Sequence, residues 1–204
     1  MVIKKLIYRK GHDRICKSSV TIVPEYILDS SFLISLAKIK LLLLIKQLPG
    51  SALCPEEVYQ EVVETGLNRG YTDALLIAKE IFLPEPPQVK NVIVKNRLRT
   101  PGISPVDDSV LSLVAERKAV LLADDIRLRK KAFGIGLETH NTPEFLMYYL
   151  EYEDFASALD GLVKYRRLDV KNANIYLEVK RQWKKKLKYV KLRRKRCKHI
   201  SKVG

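Results

Sequence analysis

The chain has 204 residues, 47% hydrophobic and 30% charged, with 38 Lys and Arg against 23 Asp and Glu for a formal net charge of +15. That composition excludes wholesale disorder, and the length fits one domain of about 100 to 200 residues plus an appendage. No apolar run approaches the roughly 20 residues of a membrane-spanning helix, no uninterrupted apolar stretch follows the basic N-terminus, and Cys16, Cys54 and Cys197 are too few and too scattered for a disulfide framework. The reading is a cytoplasmic protein without membrane contact.

In chain order, residues 22–28, IVPEYIL, read as a strand ending at Asp29, with Ser30 and Ser31 placed to cap the helix FLISLAKI. LLLLI at 41–45, fenced by Lys40 and Lys46, reads as a buried helix. ALC at 52–54 is a short apolar strand, Pro55 suits the first turn of a helix, and EEVYQEVVET runs to Gly66, a natural stop. TDALLIAKEIF at 72–82 is helical and ends before the loop LPEPPQ, after which VIV at 92–94 reads as another strand. Ser104 and Pro105 start a helix through about Arg117, and AVLLA at 119–123 is the run expected of a strand covered on both faces. Beyond Gly134 and Gly136 come two helical patterns, TPEFLMYYLE and FASALDGLVKYRRL. Strands alternating with helices predict an α/β domain on a parallel sheet.

The chain's charge collects at its end. From residue 179 onward there are thirteen Lys and Arg and no acids, which leaves 25 basic against 23 acidic residues in 1–178. Residues 1–21 form a basic N-terminal extension, 22–150 the main domain, 151–178 a helical part packed on it, and 179–204 a basic tail. Val179, Trp183, Leu187 and Val190 recur at helical spacing, so one side of the tail can pack while the other presents Lys184, Lys185, Lys186, Arg193, Arg194 and Arg196 to phosphates. A solvated basic surface is the plainer alternative. His12, Cys16, Cys197 and His199 lack the paired-cysteine knuckle of a zinc site, and the thiols read as free.

Against this basic background the acids stand out. Asp29 follows one predicted strand directly, and Asp124 and Asp125 follow another; in parallel α/β sheets the ligand crevice lies outside those strand ends. Asp107 sits in the first turn of its helix above Val110, Leu111 and Val114, while Asp108 points one residue round. Glu57, Glu61 and Glu64 share one flank of their helix, and periodicity does not choose among them. Each aspartate has a second explanation as a helix cap. Two unit charges about 4 Å apart repel by about 4 kcal/mol at an effective dielectric near 20, so acids converging on one rim need a counter-charge. A donor set of oxygens without a Cys/His cluster suits Mg²⁺ or Mn²⁺ better than zinc.

ILDSSFLISLAK, PEEVYQEVV, ISPVDDSVLSLVAE and AVLLADDIRLRKKA, in that order, resemble the four acidic motifs of the PIN-domain family of metal-dependent nucleases over roughly residues 22–150. The resemblance implies a three-layer α/β/α sandwich with a central parallel sheet, one or two Mg²⁺ or Mn²⁺ ions, and hydrolysis of RNA, more rarely DNA. Carried over by position, the acids are Asp29, Glu61, Asp107 and Asp125, with Asp124 as an additional metal ligand. Glu61 is chosen by its spacing from Pro55 and Val58. Ala123 stands where the family usually has Thr or Ser, and Ser31 is a polar neighbour of Asp29. By analogy the substrate is rRNA, tRNA or mRNA, in rRNA processing, in RNA turnover or as the toxin of a toxin-antitoxin pair. An antitoxin and a second copy of the chain stay open as partners, as does a non-catalytic RNA-binding or ribosome-associated role. Arg127, Arg129, Lys130 and Lys131 either hold phosphates beside the acids or form an exposed helix face.

Overall fold

The computed structural model describes residues 24–183. The N-terminal extension and the tail residues Lys184, Lys185, Lys186, Arg193, Arg194 and Arg196 lie outside the described residues, as do His12, Cys16, Cys197 and His199.

Five short strands pair in parallel: β1 (Glu25–Leu28), β2 (Ser51–Pro55), β3 (Lys90–Val92), β4 (Val120–Leu122) and β5 (Thr139–His140), in the spatial order β3-β2-β1-β4-β5. The two central strands are the most apolar. Ile27, Leu28 and Leu121 are wholly buried, as strands covered on both faces must be. Register sets Tyr26 beside Val120 and Leu28 beside Leu122, and the pairing continues one step further where the Asp29 N–H donates to the Leu122 carbonyl at 3.0 Å.

The strand order dictates where a ligand can sit. The chain lays down β1, β2 and β3 moving outward in one direction, then returns over the sheet and adds β4 and β5 on the other side of β1. Right-handed crossovers therefore put the early and late connecting helices on opposite faces. On one face α1 (Ser30–Lys38) packs against α4 (Thr72–Ile77), α7 (Thr142–Tyr149) and α8 (Tyr152–Lys164); on the other α5 (Pro105–Arg117) packs against α6 (Ile126–Gly134). The result is an α/β/α sandwich, as expected. Phe32 of α1, fully buried, meets Phe145 of α7 edge to face at 5.2 Å between ring centres. The direction reverses between β1 and β4, so a crevice opens at their carboxyl ends, where Asp29, Asp124 and Asp125 emerge.

Several local expectations need correction. LLLLI is not a buried α-helix: Leu42–Gln47 form a 3₁₀ turn that buries Leu42 and Ile45 and leaves Leu43 half exposed. Gly66 does not stop its helix. The helix starts at Pro55, passes through α2 (Glu56–Tyr59) and a wider-wound stretch, Gln60–Thr65, and continues as α3 (Gly66–Asn68). Gly66 is there for close approach, since a Cβ on it would lie 2.6 Å from the Ala74 Cβ of α4. The reversal falls to Gly70, whose φ of +70° belongs to the left-handed region that glycine enters freely. The strand expected at 92–94 lies at Lys90–Val92, an edge strand bonded only to β2, and Ile93 is largely exposed. By contrast α5 starts at the expected Ser104-Pro105 and ends at the expected Arg117, with Lys118 as a left-handed C-cap.

Among the described residues no helix is long and apolar enough to cross a membrane.

Candidate metal and nucleic-acid site

Asp29 stands buried at the carboxyl end of β1, at the sheet's switch point. It leaves β1 in an extended conformation (φ −91°, ψ 156°) and caps α1, its Oδ2 accepting the Ser31 backbone N–H at 3.0 Å and the Ser31 hydroxyl as well. Its other oxygen, Oδ1, is buried without a hydrogen-bond partner. Burial pushes the Asp29 carboxyl up to about 6; the two Ser31 hydrogen bonds oppose that, and the negative charges of Asp107 and Glu61 add to it. The negative charges of Asp107 on α5 and of Glu61 on the helix after β2 thus lie close enough to act on Asp29.

Asp107 occupies the third position of α5 and completes a capping box. Its Oδ2 accepts the Ser104 N–H at 3.2 Å and the Ser104 hydroxyl at 2.8 Å, while its own N–H donates to Ser104 Oγ at 3.1 Å. Asp125 caps α6, its Oδ1 accepting the N–H groups of Arg127 at 2.7 Å and Leu128 at 2.8 Å. The capping explanation of these acids is therefore correct. Asp29, Asp107 and Asp125 each commit one carboxylate oxygen to a helix end and leave the second without a hydrogen bond among the described residues.

The neighbouring aspartates behave differently. Both oxygens of Asp108 are taken by backbone N–H groups, Arg99 at 3.0 Å and Thr100 at 2.7 Å, so this buried acid ties down the loop before α5. Both oxygens of Asp124 are taken too: Oδ1 by the Thr142 N–H at 2.7 Å, and Oδ2 by the hydroxyls of Thr142 at 2.8 Å and Ser35. Asp124 thus joins β4 to α1 and the start of α7 through three accepted hydrogen bonds. Glu57 pairs with Arg97 through Oε1 and leaves Oε2 buried without a partner, whereas Glu61 is exposed and its charge reaches Asp29.

Ser31 holds this arrangement together. Its hydroxyl proton goes to Asp29, and its lone pairs accept the N–H groups of Asp124 at 2.9 Å and Asp125 at 3.2 Å, so the ends of β1 and β4 share one oxygen. Arg167, in the loop after α8, donates from Nε to Ser35 Oγ and from a terminal nitrogen to the Ser31 carbonyl, both at 2.9 Å. Sequence reasoning found Ser31 but missed Ser35, Thr142 and Arg167. Ser35 left a trace: a serine four residues after Ser31 inside an otherwise apolar helix face, and fully buried. Arg167, 132 positions from Ser35, left none.

The donor set fits a hard divalent cation: carboxylate oxygens only, one of them buried and lacking a partner. It is not a preformed cage. As the caps hold them, no three Asp, Glu, His or Cys side chains among the described residues stand close enough to bind one ion together. Of the other three expected acids, Asp107 and Glu61 act on Asp29 through their negative charge.

A family model described as a PIN domain, DUF3368, matches residues 25–152. Among solved structures, a PilT N-terminus domain protein from the hyperthermophilic archaeon Sulfolobus solfataricus P2 is similar at 15% identity and a TM-score of 0.45, over 62% of this chain and 94% of that one. A domain of a functionally unknown protein from Methanocaldococcus jannaschii DSM 2661 is similar at 20% identity and a TM-score of 0.42, over 58% and 90%. No curated protein matches. The family match spans every strand and each of the four expected acids, and on that basis the chain belongs to the PIN-domain family, whose members are typically nucleases.

Proposed function

We propose that this protein is a divalent-metal-dependent endoribonuclease, with Asp29, Glu61, Asp107 and Asp125 as its acidic set. The observation that carries this reading is the division of labour within the carboxylates: one oxygen of each of the three aspartates caps a helix, and the other is left over at the sheet's switch point, buried and unpaired in Asp29. Stranding a buried polar oxygen costs about 1–3 kcal/mol, which a fold tolerates where the oxygen has a use.

Asp29, Asp107 and Asp125 would hold Mg²⁺ or Mn²⁺ directly or through its waters. When bound, the ion neutralises charge on the scissile phosphate and acidifies water. Ser31 keeps Asp29 Oδ2 occupied and leaves Oδ1 as the oxygen without a partner. Glu61, exposed on its helix, is free to orient the attacking water, whose oxygen adds to phosphorus as the bond to the leaving oxygen breaks. Asp124, with three hydrogen bonds already accepted, serves mainly as a positioning residue. RNA is the favoured substrate class by family resemblance. The thirteen basic residues beyond residue 178 favour a large structured RNA, in rRNA processing or turnover, over the short target of a toxin with its antitoxin.

Labelled single-stranded RNA and DNA, incubated with the protein in Mg²⁺, Mn²⁺ or chelator, test the proposal. Internal cleavage of RNA that needs the metal and is lost in Asp29→Asn supports it. Metal-independent binding without cleavage points to an RNA-binding protein on a PIN fold.

A further inference from the structure

Asp124 has a second neighbourhood. On the side away from Ser31 it borders a cleft of about 670 Å³ between α6, the start of α7, the loop after α8 and the helical residues 170–183. That volume lies within the range of sites that take a small ligand, about 300–1,000 Å³. Most of the residues lining the cleft lie outside the span of the family match, including Arg166, Arg167 and Tyr176.

The charged groups facing it are Arg129, Arg166 and Arg167 against Asp124 and Asp169. Most are committed. Arg167 is bound to Ser35 and Ser31, Asp124 accepts from Thr142 and Ser35, and Asp169 accepts the Asn172 N–H at 2.9 Å and its side-chain amide. Arg129 and Arg166 are not. Neither forms an ion pair among the described residues, and Arg129 Nε is buried with no hydrogen-bond partner, a guanidinium donor aimed at an acceptor the protein does not supply. The floor adds the Tyr176 hydroxyl, which accepts from Asn141 at 2.7 Å and keeps its own proton to donate.

The geometry points to a subsite for the nucleic-acid strand in this cleft: Arg129 and Arg166 take a phosphodiester flanking the bond positioned at the acidic crevice, and Asp124, shared by both, fixes their spacing. An arginine fork matches a phosphate bidentately. This inference rests on the nuclease reading for its purpose, although strand binding can be measured without cleavage.

The test uses the full chain and a fluorescein-labelled single-stranded oligouridylate in chelator, with anisotropy titrations across a range of salt. Each single-strand phosphate contact contributes about 0.7 to the slope of log K against log salt, so losing the one phosphodiester held by both arginines in Arg129→Gln/Arg166→Gln is expected to flatten the slope by about 0.7, and Arg166→Gln alone, at an exposed side chain, by part of that. Where Mg²⁺ or Mn²⁺ supports cleavage, the loss is expected in KM rather than kcat. Equal slopes for the folded single variant and the wild type, or no strand binding by the wild type, overturn the inference. Binding that depends on both arginines in a protein that never cleaves leaves the subsite standing and removes the nuclease reading; cleavage with unchanged slopes does the reverse. A uridine mononucleotide that binds as tightly as the strand also overturns it.

Discussion

The Ser31 hydroxyl accepts the backbone N–H of Asp124 at 2.9 Å, although the two residues stand 93 positions apart. The same oxygen accepts from Asp125 and donates to Asp29, so one serine sets the separation of the first and last acids. Ser31→Ala strands two N–H groups and the second partner of Asp29 Oδ2, and is expected to cost about 1–3 kcal/mol in urea unfolding together with a drop in cleavage. Unchanged stability would show that water replaces the hydroxyl.

Asp29→Asn should separate stability from activity. The carboxyl is raised from 3.8 to about 6 in the folded chain, so the folded state binds its proton more tightly than the unfolded state does. Stability associated with that proton is complete below about pH 3.8 and is lost as the pH rises through about 6, roughly 3 kcal/mol at 1.36 kcal/mol per unit. Asparagine can still accept from Ser31 and carries no charge. In chelator the variant is expected to be more stable than the wild type near pH 8 and equal to it near pH 3.5, while losing cleavage. Added Mg²⁺ or Mn²⁺ is expected to raise the Tm of the wild type alone. A variant no more stable at the higher pH counts against the burial of an unpaired carboxylate.

Asp107 and Asp108 are adjacent, and their substitutions are expected to part company. Asp107→Asn keeps an oxygen for the Ser104 cap, so stability should change by less than about 1 kcal/mol while kcat falls on the order of 10²–10³. Asp108→Ala removes the buried acceptor of two part-buried backbone N–H groups, and the expected cost is about 1 kcal/mol in chemical denaturation with a smaller effect on kcat. The opposite pattern in paired unfolding and cleavage assays would exchange their roles.

Gly66→Ala tests the packing of α3 on α4. The added methyl meets Ala74 at 2.6 Å, closer than carbon atoms tolerate, and the helices must part by several tenths of an ångström. Overpacking of this kind costs about 1–3 kcal/mol, against a gain of up to about 1 kcal/mol in helix propensity, so the Tm should fall. A combined Gly66→Ala/Ala74→Gly variant should recover part of the loss.

Features set by short-range chemistry were legible in the sequence. Ser104-Pro105 before an acid three positions on is a local signature and marked α5 to the residue; an apolar run followed by an acid marked the ends of β1 and β4. Gly66 was misread because a glycine that ends a helix and one that lets a neighbour approach look alike without the partner helix. β3 and β5 carry three and two paired residues, too few for a period to show, and the edge position of β3 removes the apolar pattern that betrays a buried strand. Within the site, the acids could be named, but not which oxygens were spare. That depends on Ser35, Thr142 and Arg167, brought in from separate elements by tertiary contact.

The guanidinium of Arg167 has a bearing on how much chain makes one self-sufficient unit. The family's footprint closes at residue 152, yet α8 and the loop after it return to grip the first helix, and Lys180 further along caps the carbonyls at the end of α7. A fragment trimmed to that footprint would keep every acid and lose the brace that orients them. The minimal unit able to work on its own is therefore expected to extend at least through Arg167, and the segment beyond residue 152 belongs to the machinery and is not ornament.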